Sequence, residues 1–222
     1  MMAEGIGFGT IVGRFRAEEV RQDGQPAACP GWLLTTQGEE VAALVTGLYG
    51  GRPRSCNQKP GTFEVVLEKD AIAVTVDGPS SVINHLVLGE RHDPIHVCNG
   101  SAFLAPMDSV GHPCGCPESA FARKAAARSG RGPKPDARLT FRLAAAPDAG
   151  LFGLSSSSWT FYESLSAAVD AMERANAKAR MEIRLQRKVV TTRSGMTVSY
   201  VHPTFSVVER ESAAPGDLQL AA

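Results

Sequence analysis

The chain has 222 residues, with 23 basic and 23 acidic side chains and therefore a formal net charge of zero. This balance argues against a strongly basic nucleic-acid coat and against an acidic solvating tail. The two halves differ, because residues 1–110 hold 8 basic and 13 acidic side chains, whereas residues 111–222 hold 15 and 10. An asymmetry of this kind, from −5 to +5, indicates an interaction surface.

Composition sets the class of protein. Hydrophobic residues make up 43% of the chain, enough for a folded core. No apolar stretch approaches the roughly 20 residues that a membrane span needs. The first residues have no basic segment followed by an apolar one, so we expect a cytosolic protein, in which disulfides are rare. The five cysteines are an odd number, and we interpret them first as free thiols or metal ligands.

The first half predicts short strands and one helix. Residues 6–15 are extended and broken by glycines, and residues 32–36 are typical of a strand. Residues 39–49 carry apolar side chains at helical spacing, begin with two glutamates and are followed by two glycines, which predicts an amphipathic helix. From residue 62 to residue 88 the apolar period is two, which predicts strands, and residues 95–98 predict one more.

The second half predicts two helices, a loop and three strands. Alanine-rich residues favour the first helix, and an apolar stripe behind a run of serines predicts the second. Two long alternating segments flank a turn at Arg193-Ser194-Gly195 and predict a hairpin. In chain order, the predicted elements are helix 118–128, surface loop 129–135, strand 138–143, helix 159–176 and strands 180–191 and 196–208.

These elements predict an α+β fold with mainly antiparallel strands and about three helices. Residues 1–110 form a strand-rich N-terminal region, and residues 111–210 form a basic α+β region that ends in the hairpin. The two regions can also form one continuous domain. Residues 211–222 contain proline and small side chains, and we expect them to be a disordered tail.

A cluster of cysteines and histidines carries most of the recognisable chemistry. Zinc prefers four sulfur or nitrogen ligands in a tetrahedron. In an extended strand, residues i and i+2 face the same side, so His96 and Cys98 can bind one metal ion together with Cys114 and Cys116 from a second segment. The sequence therefore predicts a small Cys/His knuckle with a structural zinc. His112 is the alternative fourth ligand, and His92 follows it.

Other interpretations of the cluster remain open. Only one residue separates Cys114 from Cys116, whereas zinc knuckles usually place two or more between their cysteines. The thiols can instead be free and half-buried, or two of them can form a redox pair. A catalytic zinc is not supported, because no carboxylate stands at helical spacing from the ligands to act as general base. No hydrolase, nucleotide-binding or protease motif occurs, so we predict no catalytic residues.

The second half also carries a basic stretch. Residues 121–193 hold 14 basic and 6 acidic side chains. The candidate residues for a protein partner or for phosphate are Arg123, Lys124, Arg128, Arg131 and Lys134. A second basic group, on the predicted hairpin, is Arg184, Arg187, Lys188 and Arg193. The alternative is a solvated surface without a partner. Sequence-specific DNA binding is not supported, because no known DNA-reading motif is present.

Several of these segments together resemble a known family. Residues 98–104, the Cys-Gly-Cys-Pro run at 113–117, the basic Gly-Arg-Gly-Pro run within 123–135 and the strand at 139–143 are similar to recombination directionality factors of Streptomyces phages and related actinophages. The resemblance extends over roughly residues 10–208.

The resemblance implies a switch protein without enzymatic activity. Such a factor binds a large serine integrase on its attachment-site DNA, in the cytoplasm of the bacterial host. It allows recombination between attL and attR and discourages integration. Two alternatives stay open: a zinc-stabilised protein that binds nucleic acid without sequence specificity, and a small hydrolase whose site carries no known motif.

Overall fold

The computed structural model describes most of the chain. The described residues are 10–20, 26–56, 59–90, 93–175, 178–191 and 195–207. The predicted tail 211–222, His92 and Arg193 lie outside these ranges. Within them, the fold is α+β with mostly antiparallel strands and three α-helices, as the sequence predicts.

The three helices have local signals at their ends. They are α1 (Glu39–Tyr49), α2 (Ala120–Arg128) and α3 (Trp159–Ala175). Gly50 follows α1 with a φ of 77°, a conformation that glycine adopts without strain. The side chain of Ser119 accepts a hydrogen bond from the backbone N–H of Ala122 and caps α2. The predicted helix bounds therefore differ from the observed ones by at most two residues.

In the described residues, twelve strands account for most of the remaining regular structure, with three short 3-10 helices between them. In the first half they are β1 (Ile11–Val20), β2 (Pro26–Thr36), β3 (Arg52–Ser55), β4 (Phe63–Val66), β5 (Ala71–Val76), β6 (Val82–Glu90), β7 (Asp93–Cys98) and β8 (Phe103–Ala105). In the second half they are β9 (Lys134–Leu143), β10 (Leu151–Ser156), β11 (Ala179–Thr191) and β12 (Thr197–Val207).

The strands form one sheet with a branch. The main path is β12-β11-β5-β9-β10-β1-β2-β4-β3, and β6, β7 and β8 branch from β9. The pair β1–β10 is parallel, and the other described pairs are antiparallel. β12 also contacts β1 and β2, so the sheet curls towards closure. Strand pairs such as β5–β11 and β6–β9 join residues from both halves of the sequence. The division of the chain into regions 1–110 and 111–210 remains a prediction.

Aromatic side chains fill the space inside the curled sheet. Phe15 lies against Trp32, Phe141 and Phe152, with ring centroids 5.6–6.2 Å apart. The indole N–H of Trp32 donates a 2.9 Å hydrogen bond to the backbone oxygen of Asp70, so its polar atom is satisfied inside the core. α3 covers the core at the other side and packs Phe161 against β12.

The predicted surface loop at residues 129–135 is wrong from residue 132 onward, because Gly132 and Pro133 are buried and the last two residues belong to a strand. β9 begins at Lys134, and Pro135 is buried opposite Leu86 of β6. Proline lacks a backbone N–H and fits a strand only where one side needs no donor. At Pro135, β9 pairs with β6 alone, because its pairing with β10 begins at Ala137.

The structure also bears on membrane insertion. Among the described residues, no helix is long and apolar enough to cross a bilayer.

Removing one ring from the aromatic core tests this architecture. We expect Phe152→Ala to lower the free energy of unfolding by about 3–5 kcal/mol, because it leaves a cavity among rings that cannot collapse. Val189→Ala, at an exposed apolar side chain of β11, is the control and should change it by less than about 0.5 kcal/mol. Urea unfolding followed by tryptophan fluorescence measures both; equal losses would contradict the packing described.

Candidate metal centre

Four side chains with metal-binding atoms converge beside the sheet. They are His96 and Cys98 of β7 and Cys114 and Cys116 of the segment before α2. Their nitrogen and sulfur atoms all lie within 4.8 Å of one another. None of the cysteines forms a disulfide, so no disulfide competes for these sulfurs. The structure therefore brings together the four candidate metal ligands, which lie on two separate segments of the sequence.

The local backbone explains the convergence. β7 is extended, so His96 and Cys98 point to the same side. Residues 99–117, which we call the knuckle, return the chain to that side through β8. Hydrogen bonds from Cys114 N–H to the Ser101 oxygen and from Phe103 N–H to the His112 oxygen, both 2.9 Å, hold its two limbs together. Gly115 has a φ of 69° between the two cysteines, which lets the chain turn tightly there.

The distances fit a tetrahedral metal ion. The sulfur atoms of Cys98 and Cys116 are 3.7 Å apart, and the sulfur of Cys116 is 3.8 Å from Nε2 of His96. A tetrahedral zinc with Zn–S bonds of about 2.3 Å holds neighbouring ligand atoms about 3.8 Å apart. Four protein ligands fill such a coordination sphere and leave no place for substrate, which is the arrangement of a structural site.

Burial shapes the ionisation of this cluster. Burial raises the pKa of Cys98 to about 12 and, together with a hydrogen bond that the Cys116 thiol donates to Cys114, also raises the pKa of Cys116. At Cys114 burial acts in the same direction, but hydrogen bonds from the backbone and from the neighbouring thiols outweigh it and lower the pKa. Burial also lowers the pKa of His96, which favours the neutral imidazole that binds metals. A divalent cation would stabilise the thiolates that burial disfavours.

Side chains outside the cluster hold the knuckle in place. Arg123 of α2 donates hydrogen bonds of 2.6 Å to the Pro117 oxygen and 3.1 Å to the Gly100 oxygen. Gly100 has a φ of 96°, and a Cβ there would lie 2.9 Å from the guanidinium of Arg123. The hydroxyl of Tyr162, on α3, donates to the Asn99 oxygen at 3.4 Å. Two helices thus support the loop that carries the cysteines.

His112, the alternative fourth ligand, does not join the group. His112 is exposed and contributes backbone hydrogen bonds to the knuckle, and it is not among the described residues that could share one ion. The ring of Phe103 lies 4.5 Å from the ring of His96 and shields that ligand on one side.

The five basic candidates divide into two groups. Arg123 supports the knuckle, and Lys124 forms a 2.7 Å ion pair with Glu163 while lying over the ring of Trp159. The remaining three are exposed to solvent: Arg128, Arg131 and Lys134. Sequence patterns do not separate these groups. The partners of Arg123 are two backbone carbonyl oxygens, and the partner of Lys124 is a carboxylate on another helix.

The comparison with known proteins decides the family. The profile of the Gp3-like family, described as recombination directionality factor-like, matches residues 9–213. The chain belongs to this family. Its role is therefore regulatory in kind, within recombination, as the resemblance implies. No solved structure matches the chain. An origin among Streptomyces phages stays a prediction.

The Arg123 contacts generate a stability prediction. We expect Arg123→Ala to lower the free energy of unfolding by about 1–2 kcal/mol, because two backbone carbonyls lose a charged donor at a partly exposed site. Arg128→Ala, at an exposed position of the same helix, is the matched control. Urea unfolding measures the difference, and equal midpoints for the two variants would show that Arg123 does not support the knuckle.

Proposed function

We propose that this protein is a recombination directionality factor that binds a large serine integrase on its attachment-site DNA. It favours excision through attL and attR and inhibits integration, in the cytoplasm of the bacterial host. The observation that carries the proposal is the family match, which spans nearly the whole chain, from residue 9 to residue 213. A closed four-ligand cluster supports a binding role, since such a site stabilises structure and leaves no open position for a reaction.

The proposed activity is a shift between arrangements of the integrase. A factor without chemistry of its own can change the direction of recombination only if it binds one integrase arrangement more tightly than another. A change from 1:99 to 99:1 requires a difference in affinity of about 10⁴-fold. A factor of this kind therefore needs a rigid surface, which a metal-bound knuckle supported by two helices supplies.

We propose zinc as the metal of the cluster. Three thiols and one imidazole are the donor set of structural zinc sites, whereas magnesium and calcium prefer oxygen ligands. Bound zinc would link β7 to the segment before α2. His96, Cys98, Cys114 and Cys116 would hold it, and the ring of Phe103 would shield His96 on one side.

Metal analysis tests the zinc site. We expect one zinc per chain in purified protein by elemental analysis, and loss of this zinc in Cys98→Ser and Cys116→Ser, because serine oxygen is a poor zinc ligand. Cys56→Ser is the matched control, since Cys56 is a free cysteine outside the cluster. Protein that carries no stoichiometric zinc after purification without chelators, or a Cys56→Ser variant that loses it equally, would overturn the site.

A recombination assay tests the direction switch. With a large serine integrase encoded in the same genome, we expect attL × attR recombination only when this protein is present. The yield of attP × attB recombination should fall as its concentration rises, because the factor binds the excision arrangement more tightly. Gel analysis of plasmid substrates measures both reactions. Excision that proceeds equally without the protein would contradict the proposed function.

A further inference from the structure

A cavity of about 460 Å³ lies between α3, β6 and the knuckle. Ligand-binding cavities have volumes of about 300–1,000 Å³, so this one is large enough to hold part of a partner. Its lining on α3 runs from Tyr162 to Glu173, which corresponds to roughly 16 Å at 1.5 Å per residue. None of the four candidate metal ligands is among its lining residues. We call this elongated cavity the α3 groove.

The two ends of the α3 groove differ in chemistry. At one end, the knuckle contributes Asn99 and Leu104, and the hydroxyl of Tyr162 donates a 3.4 Å hydrogen bond to the backbone oxygen of Asn99. At the other end, α3 contributes Asp170 and Glu173. These two residues are three positions apart and therefore lie on the same face of the helix. The groove thus connects a wall of the knuckle to a pair of carboxylates.

The α3 groove carries negative charge. Asp170 and Glu173 are exposed, so their carboxylates are accessible from solvent. No described lysine or arginine is among the lining residues. His85 also lines the groove, but burial lowers its pKa more than Asp136 raises it, so the imidazole is neutral at pH 7. A cationic group is therefore the ligand that this surface attracts.

The polar side chains in the middle of the groove donate their hydrogen bonds within the chain. The amide nitrogen of Asn84 donates to the backbone oxygen of Tyr162 at 3.0 Å and to the hydroxyl of Ser166 at 2.7 Å. The side-chain oxygen of Asn84 is buried and has no hydrogen-bond partner among the described residues. The groove thus has unused acceptors, which favours a ligand with several donors.

We propose that the α3 groove is a docking site for an exposed segment of the integrase that places an arginine side chain beside Asp170 and Glu173. This inference rests on the proposed function and names the chemistry of the partner surface. A guanidinium has a permanent charge and five N–H donors, and it is less strongly hydrated than the ammonium of lysine. The aliphatic part of the segment packs against the apolar lining residues Val82, Leu104 and Val169.

The knuckle connects the groove to the metal cluster. Asn99 directly follows the candidate ligand Cys98, and Leu104 lies on β8, which pairs with β7. A metal ion that fixes the knuckle would therefore also fix one wall of the groove. Preorganisation of this kind lowers the entropy lost on binding.

The test is a binding measurement, by biolayer interferometry without DNA, between the full-length chain and a full-length large serine integrase encoded in the same genome. We expect Asp170→Asn/Glu173→Gln to weaken binding about tenfold or more, because it removes both charges and leaves the shape of the groove almost unchanged. Asp148→Asn/Glu118→Gln is the matched control, since both side chains are exposed and neither lines the groove. This control should change the affinity less than about twofold. Unfolding midpoints equal to that of the wild type confirm that both variants are folded.

A competition experiment tests the choice of arginine. Nα-acetyl-arginine amide and Nα-acetyl-lysine amide carry the same charge, so they screen the complex equally at equal concentration. We expect the arginine compound to weaken integrase binding more than the lysine compound does, and to lose this advantage against Asp170→Asn/Glu173→Gln. Equal effects of the two compounds on the wild type would overturn the assignment of arginine to the groove.

The outcomes separate this inference from the proposed function. If the wild-type protein binds no integrase, the proposed function itself fails. If the wild type binds and Asp170→Asn/Glu173→Gln binds equally, only the docking site in the α3 groove is overturned. The same holds if Asp148→Asn/Glu118→Gln weakens binding as much, since the effect would then come from net charge alone.

Discussion

The convergence of one imidazole and three thiols within 4.8 Å constrains the segment around it. β8 has three residues and the knuckle has no helix longer than a single 3-10 turn. Of its side chains, Cys114 joins the buried core, and Phe103 and Cys116 pack against it. A metal ion bound by these four side chains would add four bonds that hold the short segment in place.

The sheet and α3 provide the frame on which the knuckle is built. β7 carries His96 and Cys98 and pairs with β6, which in turn pairs with β9. The side-chain amide of Asn84, on β6, donates hydrogen bonds to the backbone oxygen of Tyr162 and to the hydroxyl of Ser166, both on α3. Tyr162 then bonds to the knuckle itself. A change in packing at the aromatic core would thus reach the metal cluster along the backbone of these strands and through a small number of hydrogen bonds.

The basic residues of the second half differ in whether they have partners within the chain. Arg123 and Lys124 contact backbone oxygens and a carboxylate, whereas the side chains of Arg128 and Arg131 are exposed to solvent. The net charge of the second half therefore overstates the charge that a partner meets.

The sequence by itself determined the fold class, the helix bounds to within two residues and the residue types of the metal cluster, because periodicity, caps and ligand chemistry are local properties. Strand β10 and the burial of Pro135 depend on neighbours distant in sequence, and no local pattern predicts them. Only the tertiary structure placed His96 in the cluster and His112 outside it, since both choices satisfy the spacing. It alone showed that Arg123 has hydrogen-bond partners within the chain, whereas Arg128 is exposed to solvent. The carbonyl oxygens of residues 100 and 117 meet one guanidinium only after the knuckle has folded back on α2.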